Sequence, residues 1–247
     1  MNNLEEIREM AKTLKLFSLK NNIMRYLEEA EKEGLTYKDF IYKILKAEIE
    51  RKENEAFNLR LKKANFPYIK TLENFDLNFQ KSLDKTKLNI LKEMNWVDNI
   101  YNLILLGPPG VGKTHLMIAL GEEAIKKGYS VFFASLNDLI YYLKTFLENK
   151  RSKEMINRIE KCDLLLIDEV GYLPLTKDDA NLFFSLISNL QEKASICLSS
   201  NKDFSQWTEL MLDEALATAI LDRLVYKAQV INMKGHSYRL ENRSTIF

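Results

Sequence analysis

The stretch GPPGVGKTHL, Gly107 to Leu116, holds Gly107, Gly112, Lys113 and Thr114 in the spacing G-x-x-x-x-G-K-S/T. These residue types at this spacing suit a phosphate. Glycines let the backbone wrap closely and turn successive N–H groups inward, often at positive φ, where side chains would obstruct. Pro108, Pro109, Gly110 and Val111 complete the loop between the two fixed glycines, and His115 follows the threonine. Lys113 supplies a cation for the β- and γ-phosphates of a nucleotide, and Thr114 a hydroxyl for Mg2+. The helix that follows adds its positive N-terminal end. A glycine-rich turn can match this spacing by chance, but the apolar run before it and the helical pattern after it are the context the motif requires.

Further along, LLLIDEVGYLPL places two carboxylates side by side at the end of an apolar run. An acid at the C-terminal end of a strand can reach a Mg2+ beside a phosphate loop, which makes Asp168 the metal partner with Thr114. Glu169, next to it, is placed to orient and deprotonate a water that attacks the γ-phosphate. Small-molecule kinases need no such base, so hydrolysis leads. The following run, ICLSSNKDF, puts Asn201 at the same expected edge of a sheet, where an amide can hold that water or sense the γ-phosphate. An ordinary asparagine turn stands beside that reading.

The elements that must position these residues show in the texture of the chain. From residue 102, short apolar runs alternate with helical patterns: NLILLG, SVFFAS, CDLLLID, ASICLSS and AQVINM. Each is nearly continuous in apolar character, so the expectation is an α/β fold with a five-stranded parallel sheet covered on both faces. SVFFAS falls between the phosphate-loop strand and the acid-bearing strand and is expected to separate them, as in phosphate-loop ATPases with an added central strand. Kinase-like folds keep those two strands adjacent. After GYLPL, Thr176 and Asp179 have capping-box spacing and lead into a helix.

The first eighty residues contain one proline and one glycine and are expected to be helical. Thr36 and Asp39 read as the start of a long helix carrying Tyr37, Phe40, Ile41 and Ile44, polar on all sides after Glu48 and ending before Pro67. The expected domains are a small helical one over 1–66 and an ATPase domain over 67–247, whose residues 67–100 form a linker. Arg51, Lys52, Arg60, Lys62 and Lys63 cluster along the long helix, but such runs are commonly solvated faces and interleaved acids dilute the charge.

With 247 residues, 46% hydrophobic and 29% charged, and a net charge of +1, the chain is globular and any nucleic-acid surface is local. Cys162 and Cys197 lie in apolar runs and read as buried thiols rather than a disulfide or metal site. No apolar run approaches the roughly 18 residues that span a bilayer, and MNNLEEIREM lacks the features of a signal peptide, so a cytoplasmic protein without a membrane partner is expected.

Beyond the phosphate loop and LLLIDEVGYLPL, the chain carries SSNKDFSQW, ATAILDRLVYKAQVINMKGHSYRL and GLTYKDFIYKILKAEIERKENEAFNLRLKKANFPYIKTLENFDL. Together these resemble the IstB-type ATP-binding proteins, transposition helpers within the DnaC-like branch of AAA+ ATPases, over nearly the whole chain. The resemblance implies an AAA+ fold with ATP and Mg2+ as ligands, Asp168 and Glu169 as the Walker B pair, and Asn201 as the sensor 1 residue. It also implies that Arg223, in LDRL, is an arginine finger reaching a neighbouring subunit's ATP, where the bare sequence suggests a surface ion pair. Arg239 matches the sensor 2 region and a nucleotide contact. The family often reads Glu-Ser-Tyr-Arg there, and this chain has His236-Ser237-Tyr238-Arg239.

The implied function is ATP-dependent oligomerisation on duplex DNA, target-site selection and recruitment of an IstA-type transposase, with ATP hydrolysis controlling disassembly. KTFLENKRSKEMINR lies where initiator-type relatives insert a helix facing DNA, which makes Lys150, Arg151 and Lys153 candidate phosphate contacts. Lys52, Arg60, Lys62 and Lys63 are weaker ones. Two other functions stay open: a DnaC-like replicative helicase loader, and a nucleotide-gated scaffold in which hydrolysis is incidental.

Overall fold

The computed structural model describes residues 3–172, 174–241 and 243. Met1 and Asn2 of the acidic leader and Leu173 of the GYLPL turn lie outside the described residues. The chain divides into two compact units, Met1–Leu59 and Arg60–Phe247. The division therefore falls inside a helix rather than at the expected limit of 66/67.

The first unit holds α1 (Asn3–Thr13), α2 (Phe17–Glu33) and most of α3 (Tyr37–Lys63). Gly34, at φ 62, ends α2 and donates its N–H to carbonyls of the last turn. Thr36 opens α3 by accepting from the Asp39 N–H at 3.2 Å. The spaced apolar set on α3 splits between two faces: Phe40 and Ile44 are half-buried, whereas Tyr37 and Ile41 are exposed. Glu48, the residue after which the helix turns polar, is itself 3% exposed. The cause lies on α2, whose N-cap position, Leu16, offers no side-chain acceptor. Glu48 supplies one, accepting from the Leu19 N–H at 2.9 Å and from Arg51 Nε at 2.9 Å. Arg51 also pairs with Glu55 and stands over the Phe17 ring, so it belongs to the scaffold.

The second unit begins in the last turn of α3 because the chain just beyond that turn is tied to the sheet. Ala64 is fully buried and its carbonyl accepts from the Phe133 N–H at 2.8 Å, while Asn65 Nδ2 donates to Phe133 O at 3.0 Å. The helical texture expected through residue 80 stops at Lys63, and residues 64–84 run without a helix to α4 (Lys85–Lys92) and α5 (Asn95–Asp98). Then come β1 (Asn102–Leu106), α6 (Lys113–Lys126), β2 (Val131–Ser135), α7 (Leu136–Lys144), α8 (Lys150–Ile159), β3 (Leu164–Val170), α9 (Lys177–Leu190) and β4 (Ser195–Ser200). α10 (Trp207–Met211), α11 (Glu214–Val225), β5 (Ala228–Asn232) and α12 (Tyr238–Glu241) complete the described chain.

The five strands form one parallel sheet in the order β2-β3-β4-β1-β5. The strand that separates β1 from β3 is thus β4, and β2, expected in that place, is an edge. Parallel strands are joined by crossovers that can skip a position, so chain order does not dictate neighbours. β4 is buried throughout, and β1 and β3 almost so, as their apolar runs require. β5, at the other edge, buries only Ile231 of its five residues. α6 is buried along Leu116–Ile125, so the helix that follows the phosphate loop is fixed in the core. Cys162 and Cys197 are free and buried, and burial pushes the Cys162 thiol up to about 12. Among the described residues no helix is long and apolar enough to cross a membrane.

Candidate functional site

The carboxyl ends of β1, β3 and β4 open onto one cavity of about 820 Å³. Gly107 leaves β1 at φ 151, and a Cβ there would sit 2.1 Å from the carbonyl oxygen of Met233, the residue that follows the neighbouring strand β5. Only glycine fits that approach. Gly112, at φ 99, precedes Lys113, the first residue of α6, so the open N–H groups of the helix end face the loop. The backbone between them is held from outside: Gln80, 1% exposed, donates to the buried Val111 carbonyl at 3.0 Å, and the Tyr238 N–H donates to Gly110 O at 3.0 Å.

Lys113 Nζ donates to Gly107 O at 2.6 Å and Pro108 O at 2.8 Å, so the loop's own carbonyls hold the ammonium over it. Burial lowers the Lys113 pKa and the Arg239 charge adds to this, against the opposing Asp168 carboxylate. Thr114 Oγ1 donates towards both Asp168 oxygens, at 3.1 and 2.9 Å. His115 Nε2 lies 3.2 Å from Thr71 O with its ring edge-on to Phe75, and burial lowers its pKa.

A strand would ordinarily send neighbouring side chains to opposite faces. Asp168 and Glu169 nevertheless both line the cavity. The pairing explains this: Ile167 sits opposite Leu198 and Val170 opposite Ser200, so two residues of β3 face the single Ser199 of β4. Within this bulge Glu169 has φ 62, a left-handed conformation that costs a non-glycine residue roughly 1 kcal/mol. Ser199 Oγ hydrogen-bonds Asp168 Oδ1 and accepts from the Glu169 N–H at 3.1 Å. Asp168 is 6% exposed and Glu169 is exposed. Beyond the bulge, Thr176 caps α9 by accepting from the Asp179 N–H at 3.3 Å.

Pro109, Gly110, Gly112, Lys113, Thr114, His115, Asp168, Glu169, Asn201 and Arg239 thus share one cavity wall, with Gly107, Pro108 and Val111 supporting it from behind. Arg239 comes to this wall on α12, whose Tyr238 ring packs edge-on against Phe79. Arg223 is elsewhere. On α11 it donates to Ala219 O at 2.9 Å, stands 4.5 Å over the Phe184 ring and lines a separate pocket with Asn102 and Gln191. Lys150, Arg151 and Lys153 are exposed on α8, whose other face buries Met155, Ile156 and Ile159. Lys52, Lys62 and Lys63 are exposed on α3 and Arg60 is half-buried.

The sequence did not point to Tyr68, Phe75, Phe79 or Gln80, which make the wall from the irregular segment after α3. Nor did it point to Ser199, whose one signal is its place two residues before Asn201. The donor set fits a magnesium nucleotide: a cradle that excludes Cβ atoms, a lysine ammonium above it, and a hydroxyl and a carboxylate meeting beside it.

A sequence model of the IstB-like ATP binding protein family matches residues 9–246. The chain is 40% identical over 240 residues to the ATP-binding protein of insertion sequence IS21 from Pseudomonas aeruginosa, covering 97% of this chain and 91% of that one. Among solved structures, it resembles AMPPCP-bound DnaA from Aquifex aeolicus at 26% identity and TM-score 0.54, over 72% of this chain and 54% of that one. It thus spans about half of the DnaA chain. It also resembles DnaI at 22% identity and TM-score 0.56, over 67% of this chain and 91% of that one, a likeness of fold.

Proposed function

The chain belongs to the IstB-like ATP-binding protein family, with an AAA+ phosphate-loop fold, and from that premise we propose that it is a Mg2+-dependent ATPase serving transposition. In this reading it oligomerises on duplex DNA, selects the target site and recruits an IstA-type transposase, and hydrolysis controls disassembly. One observation carries the ATPase reading: the phosphate loop and both acids of the β3 bulge meet in one cavity. The matched relative described as an insertion-sequence ATP-binding protein supports the setting.

The backbone N–H groups from Gly110 to Thr114 and the Lys113 ammonium would bind the phosphates. The Thr114 hydroxyl and the Asp168 carboxylate would hold Mg2+, which supplies positive charge to offset that of the phosphates. Glu169 takes a proton from water as the water oxygen bonds to the γ-phosphorus, and the bond from that phosphorus to the β,γ-bridging oxygen breaks to release ADP. The Asn201 amide orients the water, and Arg239 balances charge at the cavity wall. Arg223, which lines a different pocket, would leave its place over Phe184 to serve a neighbour's site instead of its own.

The exposed Lys150, Arg151 and Lys153 form a basic face for the DNA backbone, with Lys52, Arg60, Lys62 and Lys63 as a secondary set. Phosphate contacts of this kind tolerate many sequences, as target choice by a transposition helper requires. The test is ATP turnover by the purified chain with and without duplex DNA. Turnover that rises with DNA supports the reading, and turnover indifferent to DNA removes the DNA-assembled switch from it.

A further inference from the structure

Ser199 holds the two acids of the site in one arrangement. It is 2% exposed, on β4 between the phosphate-loop strand and the acid-bearing strand. Its hydroxyl meets Asp168 Oδ1 on one side and the Glu169 N–H, at 3.1 Å, on the other. A bulge leaves its extra residue outside the regular ladder, and here the Glu169 N–H is satisfied by a side chain of the facing strand. Two hydroxyls reach the Asp168 carboxylate, and one of them, from Thr114, is the group assigned above to the metal. The Ser199 hydroxyl is then what holds Asp168 in place.

We infer that Ser199 is a positioning residue for hydrolysis: its hydroxyl locks the bulge in β3, keeping Glu169 turned into the cavity while it anchors Asp168. This rests on the ATPase reading of the site. With alanine at 199, the Asp168 carboxylate loses a donor and the Glu169 N–H loses its acceptor inside a closed structure. The bulge then has less reason to keep Glu169 at positive φ, and relaxing it turns the side chain away from the water. The phosphate loop reaches this arrangement only through Thr114, which also bonds Asp168; its glycine backbone and Lys113 are held by other partners, so nucleotide binding should survive.

The experiment compares wild type, Ser199→Ala, Ser199→Thr and Glu169→Gln as full chains with ATP, Mg2+ and duplex DNA. It reads kcat, KM, the affinity for a fluorescent ATP analogue and the thermal midpoint. Ser199→Ala should lower kcat about tenfold or more while KM and analogue affinity stay within about twofold, the size expected for losing one buried hydrogen-bonding hydroxyl. Ser199→Thr, which keeps the hydroxyl, should recover most of that loss. A Ser199→Ala kcat equal to wild type overturns the inference. So does a loss of kcat matched by equal losses of analogue affinity and thermal midpoint, or one that threonine leaves as deep. Glu169→Gln separates the two levels: if it turns over ATP as wild type does, the reading of the site fails and the inference with it. If it is inactive while Ser199→Ala is fully active, the positioning role alone fails.

Discussion

Thr114 and Asp168 meet across the sheet, the threonine hydroxyl lying 3.1 and 2.9 Å from the two oxygens of a carboxylate that is 6% exposed. One residue lies in the first turn of the helix after β1 and the other stands near the end of β3, with β4 between those strands. Their contact joins the phosphate-binding half of the site to its hydrolytic half, and both halves yield separate expectations.

Lys113→Ala removes the ammonium that the Gly107 and Pro108 carbonyls hold over the loop. ATP affinity should fall about a hundredfold or more, because the variant has no charge-assisted hydrogen bond to offer the phosphates in a partly dry site. Equilibrium binding of a fluorescent ATP analogue checks this. Affinity equal to wild type would remove the loop from the nucleotide site.

Glu48→Gln should destabilise the first unit by roughly 2–3 kcal/mol near neutral pH, since the 3% exposed side chain keeps an oxygen for the Leu19 N–H but no longer carries the charge that balances Arg51. Burial pushes the Glu48 carboxyl up, but Arg51 and the Leu19 N–H outweigh it, and its pKa lies below the ordinary 4.5. A carboxyl with a depressed folded pKa contributes stability that is full above its unfolded value and lost as pH falls through the folded one. Denaturant unfolding of wild type and variant, followed by helical circular dichroism, should diverge above pH 4.5 and converge in acid. A gap of constant size across that range would show that the charge of Glu48 contributes nothing.

Arg223→Ala should leave nucleotide affinity unchanged, because Arg223 lies outside the nucleotide cavity. If the guanidinium serves a neighbour's ATP, DNA-stimulated turnover falls about 10³-fold, the usual scale for an arginine finger. Unchanged turnover assigns Arg223 to its intramolecular place over Phe184.

Replacing Lys150, Arg151 and Lys153 together by glutamine should weaken duplex binding and flatten its salt dependence, with a slope change of about 0.9 for each DNA phosphate no longer neutralised. α8 should stay folded, since its buried side chains are Ser152, Met155, Ile156 and Ile159. Titrations at several salt concentrations measure the slope, and an unaltered slope would move the DNA surface elsewhere.

The parts of this site that were legible in the sequence are those whose chemistry demands particular residues at short spacing. Gly107, Gly112, Lys113 and Thr114 form one such set, and the adjacent Asp168 and Glu169 another, and both proved to line or support one cavity. What sequence could not show depends on neighbours distant in the chain. β4, rather than β2, separates β1 from β3 because crossover connections skip positions. Tyr68, Phe75 and Phe79 lie in a segment without periodicity, where only tertiary packing makes a wall. Nothing in the sequence marks Glu48 as buried, and its burial follows from the missing cap at Leu16. The bulge was hidden for the same reason, since an extra residue in β3 is visible only against the register of β4.

The most direct measurement is electron microscopy of wild type and Glu169→Gln on duplex DNA with ATP and Mg2+, paired with phosphate release from the same samples. Glu169→Gln should bind ATP and accumulate DNA-bound oligomers while phosphate release falls by about 10²-fold or more, the contribution expected of a general base. Wild type should form the same oligomers and lose them as ATP is consumed. Oligomers that form on DNA equally well without ATP, or a Glu169→Gln variant that releases phosphate at the wild-type rate, would contradict an ATP-gated assembly run by the two acids of β3.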